Sequence, residues 1–166
     1  MNDYIKRIIE NLKIKFNTTC PYKLANDLDI ILIIEDLGKV MGMYKYIKKN
    51  KVVFLNSNLK EEERRFVLAH EIGHAILHTK SSCFFSTTTS INKIKKEYEA
   101  NLFAAELLID FKDVDSLYLQ GYSIANLASY YKVPIELIEF KFKENKRNNK
   151  HKNFYPLKEH IFEGGS

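Results

Sequence analysis

The sequence predicts an α+β fold: a small three-stranded antiparallel sheet beside a mainly helical core, with a subdomain of short helices at the C-terminal end. Three observations carry that prediction. Short β-branched runs cluster between Ile30 and Asn56. Two long segments of helical periodicity follow, at about 59–78 and 93–109, and two brief amphipathic stretches lie between 123 and 142. At 166 residues, 45% of them hydrophobic, the chain suits a single domain over 1–142 with a real core.

Ile5, Ile8, Ile9, Leu12 and Phe16 recur at helical spacing, so the first segment is an amphipathic helix ended by Asn17 to Thr19. Pro21 suits the first turn of a short second helix bearing Leu24, Ala25 and Leu28, where its missing N–H is not needed. The unbroken run Ile30 to Ile34 reads as a buried strand, and Glu35 to Gly38 supplies turn chemistry. Val40 to Ile47 and Val52 to Asn56 are two further strands joined by a hairpin turn at Lys48 to Lys51. Asn58 is expected to cap the next helix, and Glu61, Glu62 and Glu63 place negative charge where the helix dipole favours it. The Ser- and Thr-rich stretch Lys80 to Asn92 reads as a loop despite Phe84 and Phe85, and such a loop suits a gate. In the second long helix, Ala100, Ala104, Ala105 and Leu108 allow close packing against the first. Ser123 to Tyr131 and Pro134 to Phe142 complete the fold as short helices, with Ile124, Leu127, Ile135 and Ile138 facing inward.

The net charge of +5 is accounted for between Lys141 and Lys152, where six basic residues face the single Glu144. Residues 143–166 are therefore expected to form a basic, flexible tail. Its closing Gly164-Gly165-Ser166 is set aside from the fold argument. Cys20 and Cys83 stand far apart with no CxxC pair, which argues against a disulfide framework and against a thiolate metal site. Neither a secretory signal nor a membrane-length apolar run is visible, so a reducing cytoplasm is the expected setting.

The chemistry lies in His70-Glu71-Ile72-Gly73-His74, an H-E-x-x-H pattern. On a helix, residues four apart share a face and sit about 6 Å apart along the axis, so two imidazoles can converge on one ion. Neutral imidazole is a good Zn2+ ligand, and Glu71 beside the metal is placed to act as general base. The bland alternative is a polar exposed helix face, but the two His are embedded among Phe66, Leu68, Ala69, Ile72, Ala75 and Ile76. A catalytic site of this kind takes a third protein ligand. Glu97 and Asn101 share the Ala100, Ala104 and Leu108 face, so Glu97 can ligate while Asn101 orients a ligand His through its free ring nitrogen. Glu99 is the rival ligand, although it lies about 160° round an ideal helix from that face. His78 lies about 12 Å along the helix from His70, too far to share the ion, and belongs on the cleft rim. Arg64 and Arg65 are given no catalytic role.

These residues resemble the ImmA/IrrE-type metallopeptidases, gluzincin-like zinc proteases of bacteria and their mobile elements. The resemblance covers Pro21 to Leu28, Phe54-Leu55-Asn56, Arg65 through His74, and Glu97 through Leu108. The family's E-x-x-A-N/D pattern falls on Glu97 and Asn101, while Ile109-Asp110 stands where Met-Pro often follows. The resemblance implies a zincin-like core and a regulatory endopeptidase whose protein substrate is a helix-turn-helix repressor. Substrate is expected as an added strand on the sheet edge. His78, Tyr98 in the cleft, and the Phe84–Phe85 loop are the candidates for oxyanion stabilisation.

Two other classes compete. An antirepressor could retain zinc and act by binding without cleavage. A DNA-binding module is suggested by the helix pair at 123–142 and the basic run after it, but Glu136 and Glu139 on the second helix would repel phosphates.

Overall fold

In a computed structural model, residues 2–79 and 90–148 are described. The chain runs through helices α1 (Asn2–Phe16) and α2 (Pro21–Asp27), then strands β1 (Ile30–Glu35), β2 (Gly42–Ile47) and β3 (Asn50–Asn56). Five helices follow: α3 (Glu61–Leu77), α4 (Ser90–Leu108), α5 (Phe111–Leu119), α6 (Ile124–Tyr131) and α7 (Ile135–Asn148). The α+β class and the three strands match the sequence expectation. The expected loop at 80–92 lies outside the described residues up to 89, and its last three residues already belong to α4.

The sheet is mixed rather than antiparallel. Its order is β1-β3-β2, with β3 antiparallel to β2 and parallel to β1, Ile30 opposite Lys51 and Glu35 opposite Asn56. Each of the two short connections reverses the chain, so β1 and β3 point the same way. Hydrophobic pattern does not encode which strand slots into the middle. β3 takes the centre because Val52, Val53, Leu55 and Asn56 are all buried, whereas β1 leaves Ile31 and Ile34 exposed. The β2–β3 hairpin turns on Lys48 and Lys49, both at positive φ (48° and 69°). That backbone matches the twist of the flanking strands but strains residues carrying a Cβ.

α3 lies between the sheet and α4, so Val67, Leu68, Ala69, Ile72 and Ala75 bury most of its circumference. It begins two residues later than expected. Lys60 is the N-cap, its N–H donating to the Glu63 carboxylate at 3.0 Å. Asn58 instead sits in a turn organised by the buried Asn56, whose amide donates to Gly38 O and Val40 O while its oxygen accepts from Asn58 N. Arg64 closes the same turn through the carbonyls of Ser57 and Leu59, and Arg65 donates to Tyr131 O, so both arginines are structural.

The expected α1 stripe holds, with Ile5 and Ile9 buried and Ile8, Leu12 and Phe16 packed beside them. α5 has no sequence counterpart, because in so short a segment burial of Val114 leaves little periodic signal. Ile135, expected inside, is 45% exposed, and Leu137 takes the inward position. α7 also runs past Phe142 to Asn148, so residues 143–148 are helical rather than tail. Lys141 is buried with its ammonium 2.7 Å from Glu106, and the buried Glu144 accepts from the Tyr98 hydroxyl and from Arg147. The Lys141–Glu106 and Glu144–Tyr98 contacts lock α7 onto α4. Residues 149–166 lie outside the described residues.

Replacing the strained turn by Lys48→Asn with Lys49→Gly is expected to raise stability by about 1 kcal/mol, read as a higher thermal midpoint. An unchanged or lower midpoint would show that the two lysines carry no strain.

Candidate metal centre

Two helices build the site. His70 and His74 share one face of α3, and the first turns of α4 carry Glu97 across to meet them. The Nε2 atoms of the two histidines are 3.1 Å apart, and the two Glu97 oxygens lie 3.3 Å from His70 Nε2 and 3.5 Å from His74 Nε2. One donor atom from each residue falls within 4.8 Å of the others.

The close approach of the helices makes this possible. A Cβ on Gly73 would lie 3.1 Å from Phe103 Cβ and 3.2 Å from the Cα of Ala100, so the α4 backbone rests directly on the glycine. Ala100, Ala104 and Leu108 are all buried, as the shared face predicts. Glu97 precedes Ala100 by nearly one turn and lands over the imidazoles.

The donor set fits a cation. Asn101 Oδ1 is 2.9 Å from His70 Nδ1, and with the side-chain oxygen so oriented Nδ1 must carry the proton. The lone pair of neutral His70 then lies on Nε2, facing His74 Nε2 and the carboxylate. Converging lone pairs and a negative carboxylate repel one another unless a proton or a metal ion lies among them.

Proton affinities show the same competition. Burial pushes the His70 imidazole down, but the hydrogen bond to Glu97 and the charges of Glu71 and Glu97 outweigh it, and its pKa is raised. Hydrogen bonds from His70 and His74 hold the Glu97 carboxyl far below the usual carboxylate range.

Glu71 sits beside the three donors, 7% exposed. Burial raises its carboxyl pKa, against the opposing charges of His70 and His74 and a hydrogen bond from the Tyr44 backbone. β2 is therefore part of the site. Gly42 permits this closeness, since a Cβ there would stand 2.5 Å from Val67 Cγ1. A cavity of about 290 Å3 opens over the centre, bounded by Met41, Gly42 and Phe66 as well as His70, Glu71 and Glu97. Met41, Gly42, Phe66 and Tyr44 were not legible as site residues, although a glycine opening a strand is a signal for close backbone approach.

The other candidates lie elsewhere. Glu99 is not in the donor cluster; it lies 3.3 Å from His78 Nε2, without hydrogen-bond geometry, and 3.9 Å from Lys95. Burial, with the charges of His74 and Lys96, holds His78 down at about 4, so at neutral pH it is uncharged beside Glu99. Tyr98 packs on Phe140 and donates to Glu144, and neither it nor His78 lines the cavity over the donors.

The model of the peptidase M78 family, described as the IrrE N-terminal-like domain, matches residues 25–143, from α2 through most of α7. The chain belongs to this metallopeptidase family. It is 39% identical over 139 residues to the uncharacterized immunity region protein 2 of Bacillus phage phi105, covering 82% of this chain and 88% of that protein. It is 29% identical over 143 residues to the metallopeptidase ImmA of Bacillus subtilis (strain 168), covering 84% and 85%. Among the described residues no helix is long and apolar enough to cross a membrane.

Two outcomes are expected at this centre. Because a metal ion must displace the proton favoured on His70, affinity for added zinc should fall as pH drops through that raised pKa, beginning above the ordinary imidazole value of about 6.5. Titration calorimetry across pH reads this, and a pH-independent affinity would exclude His70 as a ligand. Separately, Gly73→Ala should cost about 1–3 kcal/mol of stability by overpacking and lower metal affinity as Glu97 is pushed back. Denaturant unfolding with zinc titration checks both, and an alanine tolerated without change would contradict the close contact.

Proposed function

We propose that this chain is a zinc-dependent endopeptidase that cuts a helix-turn-helix repressor, with His70, His74 and Glu97 as metal ligands and Glu71 as general base. The observation that carries the proposal is the convergence of two imidazole nitrogens and one carboxylate beside a separate, buried carboxylate. The nature of the donors favours zinc, which binds imidazole and carboxylate together and tolerates three protein ligands with one position open.

When bound, zinc supplies Lewis acidity that polarises a peptide carbonyl and acidifies water. The residues do the rest. Glu71 takes a proton from the attacking water and delivers it to the leaving amine, and its raised pKa suits both transfers better than an ordinary carboxyl would. The Tyr44 backbone holds that carboxylate at the wall of the cavity. Asn101 Oδ1 accepts a hydrogen bond from His70 Nδ1–H and so keeps Nε2 turned inward. β2 is an edge strand whose first residue, Gly42, lines the cavity, which supports a substrate segment lying alongside it as an added strand.

The repressor substrate rests on the family resemblance and on the name of the phage relative, an immunity region protein. Genetic switches of mobile elements act on DNA-bound repressors, which would place the chain in the cytoplasm. Direct DNA binding gains no support from α6 and α7, since Lys141 is buried against Glu106 instead of facing outward.

The test is zinc content of the purified protein alongside variants. Near-stoichiometric zinc is expected, lost with His70→Ala and Glu97→Ala and kept with Glu99→Ala and Glu71→Gln. Glu71→Gln should lower cleavage of a cognate repressor by at least about a hundredfold. Repressor release that persists in Glu71→Gln would favour an antirepressor that binds without cutting. Protein that takes up no divalent metal on reconstitution would end the peptidase proposal.

A further inference from the structure

A second cavity of about 490 Å3 adjoins the one over the metal centre, with Met41, Phe66 and Asn101 as their common wall. Its far side is the first half of α7 with the residue before it, where Pro134, Leu137 and Phe140 present an apolar surface. The remaining lining residues, Glu63 and Glu136, are both acidic, and among the described residues no basic one lines it.

Three features separate this space from a packing gap. It is larger than the cavity over the metal donors and lies within the range of small-molecule sites. Met41, which bridges the two cavities, is 46% exposed, so the passage is reachable from outside. The chemistry is also two-part, an apolar floor from α3 and α7 with carboxylates contributed from two different helices.

Resting on the peptidase reading above, we infer that this second cavity is the specificity pocket, taking one bulky apolar side chain of the substrate with a lysine or arginine next to it. A chain laid along β2 passes Met41, so a side chain near the scissile bond reaches the pocket directly. Burying a large apolar side chain against Phe66, Leu137 and Phe140 favours residues such as Phe, Leu or Met. The neighbouring cation answers Glu63 and Glu136. Glu63 is committed to the cap of α3, with its carboxylate on Lys60 N, so Glu136 is the acid free to adapt to substrate. No ion pair is formed by Glu136 among the described residues.

Binding of three blocked dipeptides to the full-length, zinc-loaded Glu71→Gln protein tests the inference without needing catalysis. The probes are acetyl-Phe-Arg-amide, acetyl-Ala-Arg-amide and acetyl-Phe-Glu-amide, followed by methyl NMR at Met41 and Leu137. The first should bind at least about tenfold tighter than the second, from loss of the buried ring. It should bind about fivefold tighter than the third, from the reversed charge. Glu136→Lys, an exposed change, should erase or invert the preference for Arg over Glu. Equal binding of the three probes, shifts confined to other methyls, or no shift at millimolar probe overturns the pocket. A protein that binds as expected but cuts no repressor keeps the pocket and loses the peptidase reading. A protein that cuts a repressor with none of these preferences loses the pocket alone.

Discussion

Three donors on two helices can meet within 5 Å only if the helix backbones nearly touch, and the contact of Gly73 with Ala100 and Phe103 is where they do. A side chain of any size at that position would push α4 outward. Because Glu97 projects from α4 one turn before the contact, such a shift would carry the carboxylate off the imidazoles. The glycine between the two histidines therefore serves the site through geometry, without touching a ligand. Its cost, a flexible residue in mid-helix of about 1 kcal/mol, is offset by the packing that closeness allows.

Buried polar groups extend this constraint outward. Asn56 gathers the 36–41 segment and the entry to α3 through both ends of its amide. Tyr44 ties β2 to the exit of α3, its hydroxyl donating to Thr79 O at 2.8 Å, while its backbone reaches Glu71. Lys141 with Glu106, and Glu144 with Tyr98, fix α7 to the helix that supplies Glu97. Each of these groups would be costly if left unpaired, so each contact specifies one arrangement of elements. The sheet, α4 and α7 are thereby all referenced to α3.

How much of this is legible in the sequence depends on how local the cause is. The two long helices, and the convergence of His70, His74 and Glu97, follow from residue spacing of three and four, which a helix converts directly into position. Strand order does not follow, since an apolar run such as Val52 to Leu55 looks the same at an edge or in the centre. The cap of α3 is misplaced because Asn58 has capping chemistry, yet Asn56 and Arg64 hold it in a turn. Lys141 and Glu144 read as solvated charges in a basic run, because their partners, Glu106 and Tyr98, lie more than 30 residues upstream. Composition sees charge; it does not see pairing.

The order in which the elements leave the ribosome has a consequence for the site. The candidate donors lie at 70, 74 and 97, while Pro134, Leu137 and Phe140 come some forty residues later. A growing chain thus exposes a complete set of donor groups before the second cavity has its far wall. The cluster of two imidazoles and a carboxylate is thus already encoded while the neighbouring cavity still lacks a side. Only when α7 docks, drawing Lys141 and Glu144 inward, do the two halves of the cleft coexist on one molecule.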